Sequence, residues 1–401
     1  MDLASGYPFW PVNDGLIRTY PKLDTDVRCD VAIIGAGITG ALVAHTLVDA
    51  GFDTVVIDRR ETAWGSTASS TALLQYEIDV LLIDLAKIHG HARAARAYVA
   101  CLEAVHTIER LARGVRADVG FDRKRSLYLG TRKRDARTLR AEHAARRAIG
   151  IDVEWLDRGD VVDRCGIDRP AALLSRDGAQ VDAYAFAHAL LHRACARGVR
   201  LFDRSAVVTI DATRGGVRLV TSDKHTIRAG RLVFASGYET QDFLEQRVAR
   251  LTSTFAIATE PLPPENRWDG ERTILWEHAK PYLYLRPTRD HRVIIGGDDE
   301  PFRDPDHRER LLPRKAQRLL ARFHELFPDR QTEIAFAWAG TFGETDDGLA
   351  YIGAHRDWPR SYFALGYGGN GITYGAIAAE VIRDALVGRR NDCAELFAFD
   401  R

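Results

Sequence analysis

The sequence predicts an α/β protein: a Rossmann-like dinucleotide-binding domain, split along the chain, into which an α+β domain built on a mainly antiparallel sheet is inserted. Three observations predict this. Short apolar runs of the kind that form buried parallel strands end in glycine or small residues near the start, in the middle and at the end of the chain. The stretches between them have a different character, with long helical patterns and strands of alternating residues. The length, 401 residues, exceeds what one compact core usually holds.

Residues 1–29 read as an irregular lead-in, with Pro8, Pro11 and Pro21 breaking any helix. Residues 30–34 (DVAII) form a short buried strand, 35–40 a turn, and 39–50 a helix closed by Gly51. Residues 54–58 (TVVID) are a second buried strand. Residues 79–113 and 131–149 carry helical spacing, and 183–197 form a helix ending at Gly198. Strands follow at 199–202, 206–211 and 217–221, and again at 231–235. Residues 251–259, 282–286 and 292–296 read as strands of the separate sheet, and 307–326 as a helix. The tail has a strand at 361–365, a glycine loop at 366–371 and a helix at 372–387. This ordering places the cofactor domain at 1–90, 152–245 and 334–401, and the inserted domain at 91–151 and 246–333.

Composition excludes several classes. The 56 basic and 56 acidic side chains cancel, which offers nucleic acid or an anionic membrane surface no electrostatic attraction. The five cysteines are widely spaced, with no CxxC pair and no metal-ligand spacing, as in a reducing compartment. The N-terminal MDLASGYPFWPVNDG lacks a secretory pattern, and the apolar stretch 31–44 is short for a membrane span. A cytoplasmic protein without an anchor is expected, and a homo-oligomer stays open.

The first strand–turn–helix carries chemistry. Gly35, Ala36, Gly37, Ile38, Thr39 and Gly40 form a GxGxxG run between strand and helix, and Asp58 ends the next strand. Gly35 permits the tight turn, Gly37 lets a pyrophosphate approach the backbone, and Gly40 lets helix and strand pack closely. The helix N-terminus offers unpaired N–H groups to phosphate, and Asp58 can accept from ribose hydroxyls. Arg59 and Arg60 would suit a 2′-phosphate, but the adjacent acid repels one, so solvated loop charges are the simpler reading. The fingerprint does not separate FAD from NAD.

Residues 64–76 (WGSTASSTALLQY) supply hydroxyl and backbone donors suited to a pyrophosphate. With this segment in view, the chain resembles the D-amino-acid oxidase-type flavoproteins: glycine oxidase, sarcosine oxidase and γ-glutamylputrescine oxidoreductase-like proteins. The matching stretches are 30–40, 64–69, 232–237 (LVFASG), 347–353 (DGLAYIG) and 365–373 (LGYGGNGIT), which together span nearly the whole chain. The resemblance implies bound FAD without covalent attachment. Its adenosine would lie near the GxGxxG turn, Asp58 and Arg59, and its pyrophosphate would pass Ser66, Thr67 and Val207. Ala72, Leu73, Leu74, Ala235, Ser236 and Gly237 would complete the wall. The flavin would meet Gly368, Gly369, Asn370, Gly371, Ile372 and Thr373, where a helix N-terminus stabilises the charge of a reduced flavin. His45 reads as a packed or surface histidine.

On the substrate side, the family's carboxylate-binding arginine precedes its Asp-Gly-Leu run. Here Phe342 occupies that register, and Glu344 and Asp346 follow. A bidentate arginine clamp is hard to replace, so a simple α-amino acid loses its anchor. The two acids would favour a cationic amine or simply occupy a solvated turn. Tyr282, Tyr284 and Arg286 alternate on a strand and share a face, and Gln75 follows the flavin segment. These four are the candidate catalytic residues, with Arg286 the substitute clamp; Tyr76, next to Gln75, is expected in the lining by position. No lysine stands in the strand at 293–297, and Lys280 is the nearest one in sequence, so oxygen is one of several acceptors to consider.

The expected reaction is oxidation of a C–N bond in an amine or amino-acid-like substrate, with hydride transfer to the flavin and imine hydrolysis. The alternatives are a flavin dehydrogenase acting on a 2-hydroxy acid or cyclic imine, and a flavin-binding partner subunit without catalysis. An NAD-dependent dehydrogenase fits the C-terminal glycine loop poorly.

Overall fold

The computed structural model describes residues 3–267 and 272–401. Two sheets organise them. In the first, the strands Tyr351–His355, Trp358–Leu365, Thr226–Phe234, Val27–Ile34, Thr54–Ile57 and Arg200–Phe202 lie side by side in that order. From Trp358–Leu365 to Arg200–Phe202 all neighbours are parallel. Such strands are covered on both faces, so their central segments, 31–34, 55–57 and 232–234, are apolar runs that do not alternate. Val31, Ile33 and Val56 pack beneath the helices Ile38–Asp49, Ala183–Cys195 and Gly371–Leu386. Ala32, Val55 and Ile57 pack on the other face with Val217 and Leu219 of the hairpin Val207–Thr213/Gly216–Thr221.

The second sheet runs Ala4–Gly6, Ile334–Glu344, Arg250–Thr259, Val293–Pro301, Leu283–Pro287, Thr273–His278, Asp122–Gly130, Ala171–Gln180 and Leu73–Leu74, with Val153–Asp157 paired to Ala171–Gln180. Its neighbours are antiparallel except Thr273–His278 beside Asp122–Gly130. The helix Pro305–Leu326 covers one face, setting Leu319 and Phe323 against a core that includes Phe255, Ile257 and Ile295. Asp304 caps this helix, accepting from the His307 N–H at 2.7 Å.

Several elements differ from the sequence reading. The lead-in contains the strand Ala4–Gly6 and the helix Phe9–Asp14. Pro8 is the N-cap and Pro11 lies in the first turn, where a missing N–H costs no intrahelical bond. The helical stretch 79–113 is two helices, Leu82–His89 and His91–Gly114, divided at Gly90. Strands Asp122–Gly130, Val153–Asp157, Ala171–Gln180, Thr273–His278 and Ile334–Glu344 form where no strand was expected. Three of these, in 152–182 and 334–344, fall in segments grouped with the cofactor domain on sequence grounds, yet they belong to the second sheet. Among the described residues no helix is long and apolar enough to cross a membrane.

Candidate functional site

The GxGxxG turn folds as its residue types require. Gly37 is the N-cap of the helix Ile38–Asp49 and has no side chain to cap it. Thr67 supplies the cap from across the turn: its Oγ1 accepts the Ile38 N–H at 2.9 Å, which leaves its hydroxyl hydrogen to donate elsewhere. Gly40 packs on the turn so closely that a Cβ there would lie 1.8 Å from the Gly35 carbonyl oxygen. Asp58 accepts from Ala36 N–H at 2.7 Å and from Arg60 N–H at 2.9 Å, one on each oxygen. Burial raises its pKa against those two bonds.

A long cavity begins at this turn. Gly35, Gly37, Ile38, Thr39, Asp58, Arg59, Ser66, Thr67, Ala72, Leu73, Val207, Ala235, Ser236 and Gly237 line it. So do Gly368, Gly369, Asn370, Gly371 and Ile372, together with Gln75, Tyr282 and Tyr284. The structure therefore brings together most of the residues singled out from sequence. Ala36, Gly40, Leu74 and Thr373 are buried behind the wall and do not line it. Thr373 Oγ1 donates to the Gln75 carbonyl at 3.3 Å, and Leu74 pairs with Ala179 in the second sheet.

Arg59 is exposed and Arg60 half-buried, but neither is simply a solvated loop charge. Both pair with Glu239, Arg60 through contacts of 3.0 and 3.1 Å. Burial opposes charge on Glu239, but the two guanidiniums prevail and hold its carboxyl below the usual range.

Arg286 is the clearest correction. It does not line the cavity. Its Nη1 donates to the carbonyls of Ala72 at 3.0 Å and Val181 at 2.8 Å, and its guanidinium lies 5.1 Å from the Trp10 ring. Alternation gave the face correctly, but farther along that face the sheet is covered by the 72–74 segment and the lead-in helix. A charge clamp there has no opening to a ligand; the arginine instead satisfies buried carbonyls.

Glu344 and Asp346 are exposed, and Asp346 pairs with Arg250, so both belong to a solvated turn. Lys280 is exposed and outside the lining, and buried Tyr76 is likewise outside it. His45 is buried away from the cavity, its pKa pushed down to about 4 by burial and by Arg193 and Arg197. Phe342 does line the cavity.

The second sheet builds the far end. Trp276 and Tyr284 are directly opposed on neighbouring strands, Tyr128 stacks on Trp276 at 3.8 Å, and the Tyr282 and Tyr284 rings lie 5.6 Å apart. The C-terminal glycine loop faces them. Asn370 caps the helix Gly371–Leu386 without a side-chain bond to it, and its amide donates instead to the carbonyls of Gln75 at 3.2 Å and Glu77 at 2.7 Å. The first N–H groups of that helix therefore have no side-chain cap. Gly368 (φ +56°) passes so near Asp79 that a Cβ would meet its carboxylate at 2.3 Å. Asp79 accepts the Gly369 N–H at 2.7 Å.

Sequence reasoning missed Asp79, Glu77, Trp276 and Thr254, all lining residues. Glu77 and Asp79 follow the recognised segment directly, so proximity to it was the available signal. Trp276 and Thr254 had none, because their strands reach the cavity only through sheet pairing.

The cavity suits a flavin dinucleotide on its own chemistry. The Ser66 and Ser69 hydroxyls are buried without a hydrogen-bond partner in the wall that also contains the N-terminus of Ile38–Asp49, an arrangement suited to acceptors such as phosphate oxygens. Fold and cavity thus define a two-sheet dinucleotide oxidoreductase, with a Rossmann half that binds and a second sheet that closes the reactive end. The chain belongs to the DAO family: its profile, described as FAD dependent oxidoreductase, matches residues 30–385. It is 26% identical over 381 residues to glycine oxidase of Geobacillus kaustophilus (strain HTA426), covering 93% of this chain and 96% of that one. It is 26% identical over 396 residues to gamma-glutamylputrescine oxidoreductase of Escherichia coli (strain K12), covering 95% and 88%. The crystal structure of glycine oxidase from Geobacillus kaustophilus superposes with a TM-score of 0.75 at 22% identity over 94% of this chain and 99% of that one, a likeness of fold. The protein is an FAD-dependent oxidoreductase.

Proposed function

We propose that this enzyme oxidises the C–N bond of an amine or amino-acid-like substrate. The observation that carries the reading is the aromatic, closed end of the cavity formed by Tyr282, Tyr284 and Trp276 opposite the uncapped helix at Gly371. FAD when bound supplies the two-electron acceptor: the substrate's α-carbon gives up a hydride, and the resulting imine takes up water and releases ammonia or an amine. Asp58 and the Gly35–Thr39 turn hold the adenosine end, and Thr67, Ser66 and Ser69 donate to the pyrophosphate. The N–H groups of Gly371 and Ile372 favour negative charge at the flavin end. Tyr282, Tyr284 and Gln75 position the substrate in a site shielded from water. No cysteine or histidine lines the cavity among the described residues, which supports non-covalent attachment. The names of the relatives, glycine oxidase and gamma-glutamylputrescine oxidoreductase, support an amine nitrogen as the oxidised group.

The test is the visible spectrum of the FAD-loaded protein, followed anaerobically as amines and amino acids are added singly. Bleaching of the flavin band by an amine or amino acid is expected. Bleaching only by 2-hydroxy acids or other non-amines would refute the reading.

A further inference from the structure

The cavity is electrostatically one-sided. Among the described residues, the only cationic side chains lining it are Arg59 and Arg60, both paired with Glu239 at the adenosine end. At the aromatic end the charged lining residues are Glu77 and Asp79. Asp79 has a donor in Gly369 N–H. Glu77 differs: it is only 3% exposed, and its Oε2 is buried without any hydrogen-bond partner. A buried carboxylate oxygen left unpaired is costly unless something completes it.

The protein holds this group firmly. Arg146, fully buried, places Nη1 3.6 Å from Glu77 Oε1 and donates through Nε to Glu142 at 2.7 Å. Glu142 in turn accepts the Leu82 and Ile83 N–H groups at 3.0 and 3.1 Å. Burial pushes the Glu77 carboxyl up and Arg146 opposes that rise from behind, while the other oxygen, Oε2, stays unpartnered in a residue that lines the cavity. Beside it, Ser126 Oγ accepts from Gln75 Nε2 at 3.3 Å and Trp276 Nε1 at 3.2 Å, which leaves its hydroxyl hydrogen as a neighbouring donor directed at the Glu77 carboxyl.

We infer that Glu77, backed by Arg146 and sharing the cavity wall with Trp276 and Tyr284, anchors a second, non-reacting alkylammonium group of the substrate. The class is therefore a diamine or longer polyamine, not a simple α-amino acid. A carboxylate at this end meets two acids and no free cation, whereas an ammonium finds an unpaired acceptor and aromatic rings suited to a cation. The reacting nitrogen must be neutral for its α-carbon to release a hydride, so a fixed negative charge is matched to a different nitrogen. Glu77 is a specificity residue; Arg146 is a positioning residue acting through it. This rests on the amine reading above and narrows it.

The test uses FAD-loaded enzyme and three probes: putrescine, n-butylamine and glycine. Binding is read by perturbation of the flavin spectrum and by thermal shift, and reduction by anaerobic bleaching. One charge-assisted hydrogen bond amounts to at least ~10-fold in affinity, so putrescine should bind ~10-fold or more tighter than n-butylamine. Glu77→Gln should abolish that preference, bringing putrescine to the affinity the same variant shows for n-butylamine, and Glu77→Asp should retain part of it. Equal binding of putrescine and n-butylamine by the parent enzyme, tighter binding of glycine, or a preference surviving in Glu77→Gln overturns the assignment. If Glu77→Gln fails to load FAD, the parent's putrescine-to-butylamine ratio decides alone. Failure of the amine reading looks different: no amine or amino acid then bleaches the flavin, whatever binds.

Discussion

Gly40→Ala tests the cofactor assignment at its tightest contact. The new Cβ would sit 1.8 Å from the Gly35 oxygen and 2.9 Å from the Gly35 carbonyl carbon, both backbone atoms of the pyrophosphate turn. No rotamer relieves this, so the helix Ile38–Asp49 must move off the strand Val27–Ile34 by about 1 Å. Overpacking of this kind costs about 3 kcal/mol when backbone must yield on both sides. At ~2 °C per kcal/mol for a chain of this size, the ligand-free melting temperature should fall by roughly 6 °C. The same shift moves the Ile38 and Thr39 N–H groups off the phosphate positions. Losing one charged hydrogen bond there, about 1.5–3 kcal/mol, raises the FAD dissociation constant at least tenfold. Quenching of flavin fluorescence on titrating apoprotein measures the affinity, and melts with and without FAD measure the rest. Gly215→Ala is the control, because its Cβ would meet nothing nearer than Thr213 Oγ1 at 3.6 Å. A Gly40→Ala protein that binds FAD as tightly as the parent and melts within 1 °C of it would refute the placement of the pyrophosphate at this turn.

Asp58→Ala removes the acceptor of the Ala36 and Arg60 N–H groups and of the ribose; FAD affinity should drop ~10- to 100-fold in the same titration, and an unchanged affinity would contradict the adenosine placement. Arg286→Met leaves the Val181 carbonyl without its donor, at about 1–3 kcal/mol, while the Ala72 carbonyl keeps the Val181 N–H, so the melting temperature should fall by a few degrees in denaturation scans. A selective rise in KM with an unchanged melt would restore Arg286 as a substrate clamp. Asp299 has its pKa pushed up to about 7 by burial, with Glu344 and Asp79 adding to the rise. A carboxyl raised in the folded state stabilises it below the unfolded value and loses that contribution as pH rises through about 7. The ligand-free protein should therefore melt lower at pH 8 than at pH 5 by way of this group, and Asp299→Asn should flatten the difference; a parent profile of the opposite slope that Asp299→Asn leaves unaltered would count against it.

The cofactor half was legible because its requirements are local. A strand, a turn needing glycine, a helix N-terminus and an acid at the next strand end all lie between residues 30 and 58, so chain order alone puts them together. The C-terminal loop was readable for the same reason, as glycines directly before an uncapped helix. The substrate end is built from long-range pairing. Ser126 meets Trp276 from a strand 150 residues away, and such register cannot be read from periodicity. Periodicity gave Arg286 its face but not its depth, and tertiary packing turned an expected clamp into a buried support. Glu77 looked like one acid among many until folding brought Arg146 behind it and left one oxygen unpaired. The sequence alone determined the strand, glycine turn and helix end of the dinucleotide-binding unit, since backbone N–H groups exposed at a helix end follow from local residue order. Tertiary structure decided which charge the substrate end presents, because that depends on which side chains a folded sheet leaves facing the cavity.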